Sequence, residues 1–559
     1  MKKTLFFAFA LVLLASCSNE DDYNYGVNRA EGINFCLYQD NGGETRTEYS
    51  TADWLQIDWT VGDKIDILCD NTLAAASGNT LRKKATYKVT GYVQNSGGTN
   101  VKHQARITTD DGNPLYWNDK DGAKHDFYAT YGEDIQAQVY ESGEKAGQYN
   151  GKFKCWYDNM QSLSLVNGSW VNMKQAYMIA RRLNCYPTAN VDLHFKCIMT
   201  VLEIEIKGMT DAPMNLSSVW ITVPAGTQKV ILDNNECFEY DYDNGPTNVG
   251  TTTTDETYQF VWDDAGQAAI PAGGSIKVIA ILPPMNITAN TLKIDVKSAG
   301  WNSKSVKINK SVAAGKKARF ATANWTFDKT EPIDMGDGIK WSPVNILVTK
   351  ADQTSTDNLA NKPTDLGTHL IWSYHSGKAV NHYSSVTIGT NGYYMNLTNP
   401  TWSSSFTAGY DDKTNDCPSL SPNNASTYVS GDNLTTDYDH AYKLCGTAWR
   451  MPTDAQMATL RNTSTKTHKW VTMNDGVRDV KGLLIISKAN GNCLFLGAWG
   501  KFGSPDNNKE KNFGAGCYYW TSTRHSSNKN SLCGYFGTDT YKADNYYRSI
   551  GMQVRPIKP

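Results

Sequence analysis

The sequence predicts a mainly β protein built from several structural units. At 559 residues the chain is too long for one hydrophobic core, because single cores stop growing near about 250–300 residues. Charged residues make up only 20% of the chain while the mean hydropathy is -0.50, so its polarity comes from Asn, Thr, Ser, Gly and Tyr. This balance favours strands and turns over long helices.

The charge balance excludes one class of function. Lys and Arg number 54 against 56 Asp and Glu, which gives a net charge of -2 at pH 7. A chain with this balance has no electrostatic footprint for wrapping nucleic acid or for coating an anionic membrane. We therefore expect no nucleic-acid partner.

The first residues resemble the export signal of a bacterial lipoprotein. Two lysines precede an apolar run over residues 5–14, which is too short to span a bilayer and ends in a lipobox-like sequence at Cys17. The pattern predicts a signal peptide over residues 1–16, lipidation of Cys17, and an acidic tether over residues 17–30. The acidic cluster also resembles the signal that places lipoproteins on the outer face of the outer membrane. The alternatives are an ordinary secretory peptide and a merely solvated tether.

The first predicted strand, residues 33–38, is followed by a loop that carries an arginine. Three apolar side chains of the strand share one face, namely Ile33, Phe35 and Leu37. Arg46 follows two glycines in the loop, so we expect it to be solvent-exposed and accessible to an Arg-specific protease.

Changes in pattern along the chain predict three units. The strongest period-two strand, at residues 201–207, ends a first unit over residues 31–207. Short β-branched runs between Gly, Asn and Pro turns predict a β-sandwich over residues 208–328, which a polar linker over residues 329–338 follows. The last unit, residues 339–559, is predicted to be a mixed α+β domain.

Two short helices are predicted in the last unit from capping signals. A helix over residues 439–444 is stopped by Gly446. Thr453 and Gln456 occupy the positions of a capping box, with Thr453 as the N-cap residue. The spacing therefore predicts a second helix that begins directly after Thr453.

A series of short motifs in the first two units resembles the fimbrillin (Mfa-like) family of Bacteroidetes. The motifs are Ile33-Asn34-Phe35, Thr45-Arg46-Thr47, Trp59…Gly62-Asp63-Lys64-Ile65, Asp126-Phe127-Tyr128-Ala129, Leu193-His194-Phe195 and Ala314-Gly315-Lys316-Lys317. The resemblance covers residues 31–328. It implies two tandem transthyretin-like β-sandwiches that polymerise as type V pili.

The last unit is similar to a different module, the FISUMP domain, a relative of C-type-lectin-like folds. Its motifs are Gly338-Ile339-Lys340-Trp341, Trp449-Arg450-Met451-Pro452-Thr453, Tyr519-Trp520-Thr521-Ser522-Thr523 and Arg548…Gly551…Val554-Arg555-Pro556. Extra residues at 446–449 depart from the typical Gly-Trp-Arg run, which affects loop geometry. The predicted fold class is mainly β, with two tandem transthyretin-like β-sandwiches followed by an α+β lectin-like domain.

The sequence contains no recognisable catalytic or metal-binding motif. Its nine histidines are scattered, and it has no His-Glu-x-x-His, Cys-x-x-Cys or Gly-x-Ser-x-Gly motif and no phosphate-binding glycine loop. We therefore expect no enzymatic activity, no metal and no cofactor. A third hypothesis is an enzyme hosted by the lectin-like fold, as in formylglycine-generating enzymes, but the module lacks a suitably spaced cysteine pair.

The last unit is rich in aromatic residues, on which sugar faces stack. We predict that Trp449 and Trp520 pack in the core. Trp499, Tyr518 and Tyr546, in Gly- and Asn-rich loops, are the predicted surface residues for ligand binding. The expected ligand is a host or bacterial surface glycan or protein.

The cysteine count leaves the disulfide pattern open. Lipidation of Cys17 would leave eleven of the twelve cysteines in an oxidising compartment. Cleavage after Arg46 would also remove Cys36 and leave ten, five on each side of residue 328. Either a disulfide would then cross between units or two thiols would stay free.

The leading hypothesis is a surface lipoprotein precursor of a fimbrial subunit, a tip adhesin with the last unit as its adhesive end. In the family that it resembles, the C-terminal strand of one subunit fills a groove in its neighbour. Here a folded module occupies that end, which suits a subunit that accepts a strand and cannot donate one. The expected partners are other fimbrial subunits, and the outer membrane through the lipid anchor.

Assembly is expected to begin with cleavage between Arg46 and Thr47. This cut would remove the strand of residues 33–38 and leave unpaired main-chain groups around an apolar groove. A competing cut after Arg29 would keep the strand. The alternative function is a monomeric outer-surface glycan-binding lipoprotein that does not polymerise.

Overall fold

The computed structural model describes most of the chain. The described residues are 32–39, 59–94, 98, 100–118, 124–166, 168–187, 190–233, 236–262, 268–348, 354–370, 372, 429–474, 476, 479–502, 510–526, 530–548 and 550–559. The predicted lipidation site Cys17 and the predicted cleavage site at Arg46 and Thr47 lie outside these ranges. Both stay predictions.

The described residues are mainly β, as predicted. Strands β1 to β12 are Phe35–Gln39, Lys64–Leu68, Lys84–Gln94, Asn100–Thr109, His125–Tyr131, Ile135–Val139, Tyr149–Trp156, Met160–Val166, Ser169–Val171, Met178–Cys185, Val191–Cys197 and Thr200–Lys207. Strands β13 to β23 are Met214–Val223, Gln228–Val230, Cys237–Asp241, Gly245–Pro246, Val249–Thr251, Glu256–Trp262, Ala268–Ile270, Ser275–Leu282, Lys293–Ser298, Lys304–Lys307 and Lys317–Ala321.

Strands β24 to β36 are Ile333–Asp334, Lys340–Trp341, Val429–Ser430, Asn433–Leu434, Lys466–Asn474, Asp479–Ser487, Cys493–Gly497, Trp499–Phe502, Glu510–Phe513, Cys517–Arg524, Asn530–Phe536, Tyr541–Tyr547 and Ile557–Lys558. The α-helices in the described ranges are α1, His440–Cys445, and α2, Asp454–Arg461. Short 3₁₀ turns cover Met173–Gln175 and Thr356–Asn358.

Seven strands of the first unit close into a ring in the order β1-β11-β10-β5-β2-β3-β4. Strand β1 is hydrogen-bonded on both sides, parallel to β11 and antiparallel to β4. It is therefore the strand that joins β4 to β11. The predicted strand at residues 33–38 is confirmed, and in the tertiary structure it has a hydrogen-bonded neighbour on each side.

A ten-stranded sheet follows, in the order β22-β21-β13-β18-β8-β9-β20-β12-β23 with β19 attached to β13. The predicted strand at residues 201–207 is confirmed as β12, but it pairs with β20 and β23 of the second unit. Strands β8 and β9 also join this sheet from before residue 208. The predicted unit boundary after residue 207 is therefore not a boundary between sheets, because local periodicity does not reveal the partner of a strand.

The first two units share one hydrophobic core. Tyr157 is buried between them, and its hydroxyl donates a hydrogen bond to the carbonyl oxygen of Ile281 at 2.8 Å. The side-chain amide of Gln161 donates to the same oxygen at 2.9 Å. The hydrogen-bond donors of both side chains are thus paired inside the apolar core, which lowers the cost of burying them.

The described residues of the third unit form three sheets and both helices. A seven-stranded sheet comprises β26, β27 and β31 to β35, a second sheet is β28-β29-β30, and a third is β24-β25-β36. Strand β24 lies inside the predicted linker of residues 329–338. Part of that linker is therefore folded, with Ile333 opposite Trp341.

Both predicted helices are confirmed. The side chain of Asp439 accepts a hydrogen bond from the Tyr442 N–H at the start of α1, and Gly446 ends the helix. At α2, Thr453 and Gln456 each accept a hydrogen bond from the main-chain N–H of the other, which completes the capping box. In the described part of the chain, neither helix is long and apolar enough to cross a membrane.

A side-chain amide connects the ten-stranded sheet to the third unit. Asn492 Oδ1 accepts hydrogen bonds from Lys297 Nζ at 3.0 Å and from Ser303 Oγ at 2.9 Å. Asn492 Nδ2 donates to the carbonyl oxygen of Asp334 at 2.8 Å. Burial lowers the pKa of Lys297. The third unit is thus held to β21 by specific polar contacts.

No disulfide joins any of the ten described cysteines. Burial raises the pKa of Cys197, Cys493 and Cys517 to about 12, so these thiols stay protonated near neutral pH. The other two cysteines, Cys17 and Cys417, lie outside the described ranges.

Candidate functional site

The first candidate site is the position of β1 in the seven-stranded ring. Ile33, Phe35 and Leu37 are at most 4% exposed, which confirms that they share an inward face. Leu37 lies opposite Leu193 on β11 and opposite Ala105 on β4. The strand is therefore held by main-chain pairing on both edges and by apolar packing on one face.

Phe35 is the largest apolar side chain of β1. Its ring meets those of Tyr87 and Phe127 edge to face, with centroid distances of 5.2 and 5.3 Å. Such pairs contribute about 0.5–1.5 kcal/mol beyond the burial of their area. The hydroxyl of Tyr87 accepts a hydrogen bond from the Leu115 N–H at 3.0 Å, so the ring facing Phe35 is itself held in place.

The outer face of β1 is polar and less buried. Tyr38 stacks on His194 of β11 with the ring centroids 5.0 Å apart. The side-chain amide of Asn34 donates a hydrogen bond to Asn190 Oδ1. These contacts lie at the surface, so most of the packing energy of β1 comes from its inner face.

The chain enters β1 through a close approach at Gly32. Its φ is +79°, and a Cβ there would lie 2.6 Å from Pro114 Cγ, so only glycine fits without a shift. The next residue, Ile33, donates its N–H to the carbonyl oxygen of Leu115 at 2.8 Å. The start of the strand is therefore fixed against the segment before β5.

The predicted surface position of Trp499 is wrong. Trp499 is only 3% exposed and begins β31, where it pairs with Phe513 of β32. Gly497 makes room for the indole, since a Cβ on that residue would lie 2.3 Å from Nε1. The glycine that indicated a loop is a packing position at the end of β30.

The loop positions predicted for Tyr518 and Tyr546 are also wrong, because both residues lie in strands. Tyr518 is in β33 and only 4% exposed, while Tyr546 is in β35 and half-buried. Trp449 and Trp520 are buried, as predicted.

Three tyrosines form one aromatic surface across β33, β34 and β35, here called the tyrosine face: Tyr518, Tyr535 and Tyr546. The ring centroid of Tyr518 lies 4.8 Å from that of Tyr535 and 5.9 Å from that of Tyr546. Tyr535 is not among the ligand-binding residues predicted from the sequence. The signal that could have found it is the strand register, which places Tyr535 opposite both Tyr518 and Lys542.

Charged side chains lie directly on the tyrosine face. The ammonium group of Lys501 is 3.2 Å from the ring centroid of Tyr546, and that of Lys542 is 5.7 Å from the ring centroid of Tyr535. Asp544 accepts a hydrogen bond from the Tyr546 hydroxyl at 3.0 Å and lies 3.5 Å from Lys542 Nζ. Burial, together with the neighbouring Tyr518 and Asp544, raises the pKa of Tyr546, which keeps its hydroxyl a hydrogen-bond donor.

Two buried titratable groups, His369 and Asp439, contact main-chain groups of the third unit. His369 Nε2 lies 3.3 Å from the carbonyl oxygen of Trp499, and its Nδ1 lies 3.4 Å from Gln553 Nε2. Burial lowers the pKa of His369 to about 4. Asp439 accepts the Met451 N–H at 2.9 Å, and burial raises its pKa to about 6.

The seven-stranded ring carries a surface depression of about 570 Å³. Lys64 pairs with Asp110 there at 2.8 Å, and Arg82 pairs with Asp111 at 2.8 Å. The third cation in its lining, Lys84, pairs with Asp66 at 2.6 Å, so each cation that lines the depression has a carboxylate partner. Among the described residues, no group of three or more His, Cys, Asp or Glu could hold a metal ion.

Comparison with known proteins gives only distant likenesses. No family model and no curated protein matches the chain. The chain is similar to the crystal structure of a proposed cell adhesion protein from Bacteroides uniformis, at 14% identity over 53% of this chain and 92% of that one, with a TM-score of 0.28. A proposed cell adhesion protein from Bacteroides ovatus matches at 13% identity over 54% and 96%, with a TM-score of 0.30. A proposed adhesin from Bacteroides thetaiotaomicron matches at 11% identity over 50% and 79%, with a TM-score of 0.23. Likenesses at this level do not define a function.

Proposed function

We propose that this chain is the surface lipoprotein precursor of a fimbrial subunit, a tip adhesin that assembles by protease-triggered strand exchange. The role is one of binding rather than catalysis. The observation that carries the proposal is the position of β1, which alone joins β4 to β11 in the ring. This strand also precedes Arg46 and follows Cys17 in the sequence.

Removal of β1 would leave a groove suited to another strand. Each of its three inward side chains contributes about 1.5–3 kcal/mol by burial, so the opened ring would be much less stable. The main-chain groups of β4 and β11 would lose their partners at the same time. An edge of this kind pairs readily with an added strand, which is how β-strand addition joins two chains.

Cleavage after Arg46 would couple release to assembly. The cut would separate the body of the protein from the lipid at Cys17, and it would allow β1 to leave the ring. A cut after Arg29 would release the lipid but keep β1 in place. Only the first cut performs both steps.

A tip position is supported by the way the third unit holds its last described strand. Strand β36, Ile557–Lys558, pairs with β25. Lys558 Nζ donates a hydrogen bond to the carbonyl oxygen of Thr330 at 2.9 Å and lies 4.6 Å from the ring centroid of Trp449. Residues paired in this way are not available to fill a neighbour's groove, which suits a subunit that accepts a strand.

N-terminal sequencing of the chain recovered from sheared fimbriae tests the proposal. We expect the assembled form to begin at Thr47, and Arg46→Ala to stay lipid-anchored and absent from fimbriae. Arg29→Ala is the matched control and should be incorporated normally. An assembled form that begins upstream of Ile33 would contradict the strand-exchange mechanism.

The alternative function is a monomeric outer-surface glycan-binding lipoprotein, which the half-buried rings of Tyr535 and Tyr546 on the tyrosine face favour. Cell fractionation separates the two functions. Recovery of the chain with sheared fimbriae supports the fimbrial subunit, whereas a chain found only as a membrane-associated monomer supports the alternative.

A further inference from the structure

We infer that Asp192 on β11 selects the strand that replaces β1, and that it favours a serine or threonine at the position now held by Cys36. The inference rests on the proposed strand exchange and names the chemistry of the partner, a strand of another fimbrial subunit that carries a hydroxyl group beside Asp192. Asp192 would thus be a specificity-determining residue of the groove.

Cys36 lies between two charged residues on the outer face of the ring. In the strand register it is opposite Asp192 of β11 on one side and opposite Arg106 of β4 on the other. Asp192 is half-buried and Arg106 is exposed. Residues that are directly opposite each other on paired strands share a face of the sheet and lie close enough to interact. The side chain at this position of any replacing strand would therefore meet a carboxylate and a guanidinium group.

Asp192 has an acceptor atom that no hydrogen bond satisfies. Its Oδ1 is buried and accepts no hydrogen bond from the described part of the chain. Burial raises the pKa of Asp192, although the nearby charges of His194 and Arg182 act in the opposite direction. A buried carboxylate oxygen without a hydrogen bond costs free energy. The ring therefore holds β1 with one acceptor beside it unsatisfied.

A hydroxyl group fits both neighbours of this position. It can donate its hydrogen to Asp192 Oδ1 and accept one from the guanidinium group of Arg106, whereas the thiol of Cys36 is a weak donor and a weak acceptor. A lysine would be repelled by Arg106, and a glutamate would be repelled by Asp192. Serine and threonine are therefore the residues that gain from both sides.

This preference would favour exchange over the return of β1. A strand with serine or threonine at this position could pack inward as β1 does and would add a hydrogen bond to Asp192 Oδ1 that β1 does not make. Differences in affinity between related partners act mostly on dissociation. The added hydrogen bond would therefore hold the incoming strand in the groove for longer.

Hydrogen exchange of the full-length chain tests the preference with β1 itself as the probe. Cys36→Thr and Cys36→Val place side chains of nearly the same shape beside Asp192, one with a hydroxyl and one without. We expect the amides that open with β1 to exchange about tenfold more slowly in Cys36→Thr, which corresponds to about 1.4 kcal/mol. When each change is combined with Asp192→Ala, the two chains should differ by less than about twofold, because the acceptor is gone.

The next outward position of β1 provides a matched control. Tyr38 is opposite His194 and Gln104, neither of which has a buried side-chain oxygen without a hydrogen bond in the described chain. Tyr38→Thr and Tyr38→Val should therefore exchange within about twofold of each other. Cys36→Ser and Cys36→Ala serve as a second pair if the first does not fold, and circular dichroism establishes that each variant is folded.

A peptide tests the same preference between two chains. The probe is a fluorescent peptide of residues 32–39, and the receptor is the full-length Phe35→Ala chain, whose β1 is less firmly packed. The peptide with Cys36→Thr should bind about tenfold more tightly than the peptide with Cys36→Val, because both compete with the same β1. Adding Asp192→Ala to the receptor should remove this difference.

Three outcomes would overturn the inference: exchange that is no slower in Cys36→Thr than in Cys36→Val, a difference that persists with Asp192→Ala, or no binding of either peptide. A chain whose fimbrial form begins at Thr47 but which shows no preference for threonine would refute this inference and leave the proposed function standing. A chain that shows the preference but keeps β1 in its fimbrial form would refute strand exchange and leave the preference at Asp192 standing.

Discussion

Replacing Phe35 with alanine should loosen the strands on either side of β1. Phe35 is 1% exposed, and its ring meets those of Tyr87 and Phe127 at centroid distances of 5.2 and 5.3 Å. Phenylalanine-to-alanine changes in a packed core cost about 3–5 kcal/mol, because they remove apolar burial and leave a cavity. This cost should fall on the pairing of β1 with β4 and β11.

Hydrogen exchange followed by mass spectrometry of the full-length chain measures the effect strand by strand. Each 1.4 kcal/mol changes an opening equilibrium about tenfold, so amides that open with β1 should exchange about one hundred- to a few thousandfold faster. Tyr38→Ala is the matched control on the same strand. Tyr38 stacks on His194 at the surface, so its loss should cost no more than about 1 kcal/mol.

Two results would refute this reasoning. Equal acceleration in Phe35→Ala and Tyr38→Ala would mean that the inner face does not anchor β1. An acceleration spread evenly over the ten-stranded sheet and the third unit would mean that β1 does not open separately from the rest of the protein.

Three further predictions concern the third unit. Acidification from pH 7 to pH 4 should destabilise it through His369 by up to about 3 kcal/mol. The pKa of His369 falls from 6.5 to about 4 on folding, so the unfolded chain takes up the proton first. The His369→Gln variant should therefore lose less stability over this pH range, as measured by thermal unfolding. Asp439 should act with the opposite sign, because its pKa rises from 3.8 to about 6 on folding and the folded chain takes up the proton first. The Asp439→Asn variant should therefore lose more stability on acidification than the unchanged chain. Stability profiles against pH that run parallel in the two variants and the unchanged chain would contradict both assignments. Asn492→Ala should speed hydrogen exchange in β21 and β24, where its partners lie, because it breaks a bond to a charged amine worth about 1.5–3 kcal/mol; unchanged exchange there would show that this amide does not hold the two parts together.

Local patterns in the sequence were sufficient for the elements that depend on neighbouring residues. The inward face of β1 follows from the alternation of side chains along a strand, so Ile33, Phe35 and Leu37 could be assigned to one side without knowledge of their partners. The capping box at Thr453 and Gln456 is similarly local, because its two hydrogen bonds join residues three apart.

The candidate sites depended on contacts that no local pattern contains. The position of β1 matters because it joins β4 to β11, whose residues lie far along the chain. The tyrosine face is assembled from three strands, with Lys501 contributed by a fourth. Trp499 was assigned to the surface because glycines surround it, yet Gly497 is the residue that accommodates its ring.

The sequence by itself therefore determined the mainly β character of this protein, the strands at residues 33–38 and 201–207 with their apolar faces, and the caps of its helices. Only the tertiary structure decided that β12 belongs to the sheet of the second unit, that Trp499 is buried, and that Tyr535 lies beside Tyr518. The reason is physical. Alternation with a period of two shows which side chains share a face. Whether that face meets another strand, the core or solvent is decided by pairing between distant parts of the chain.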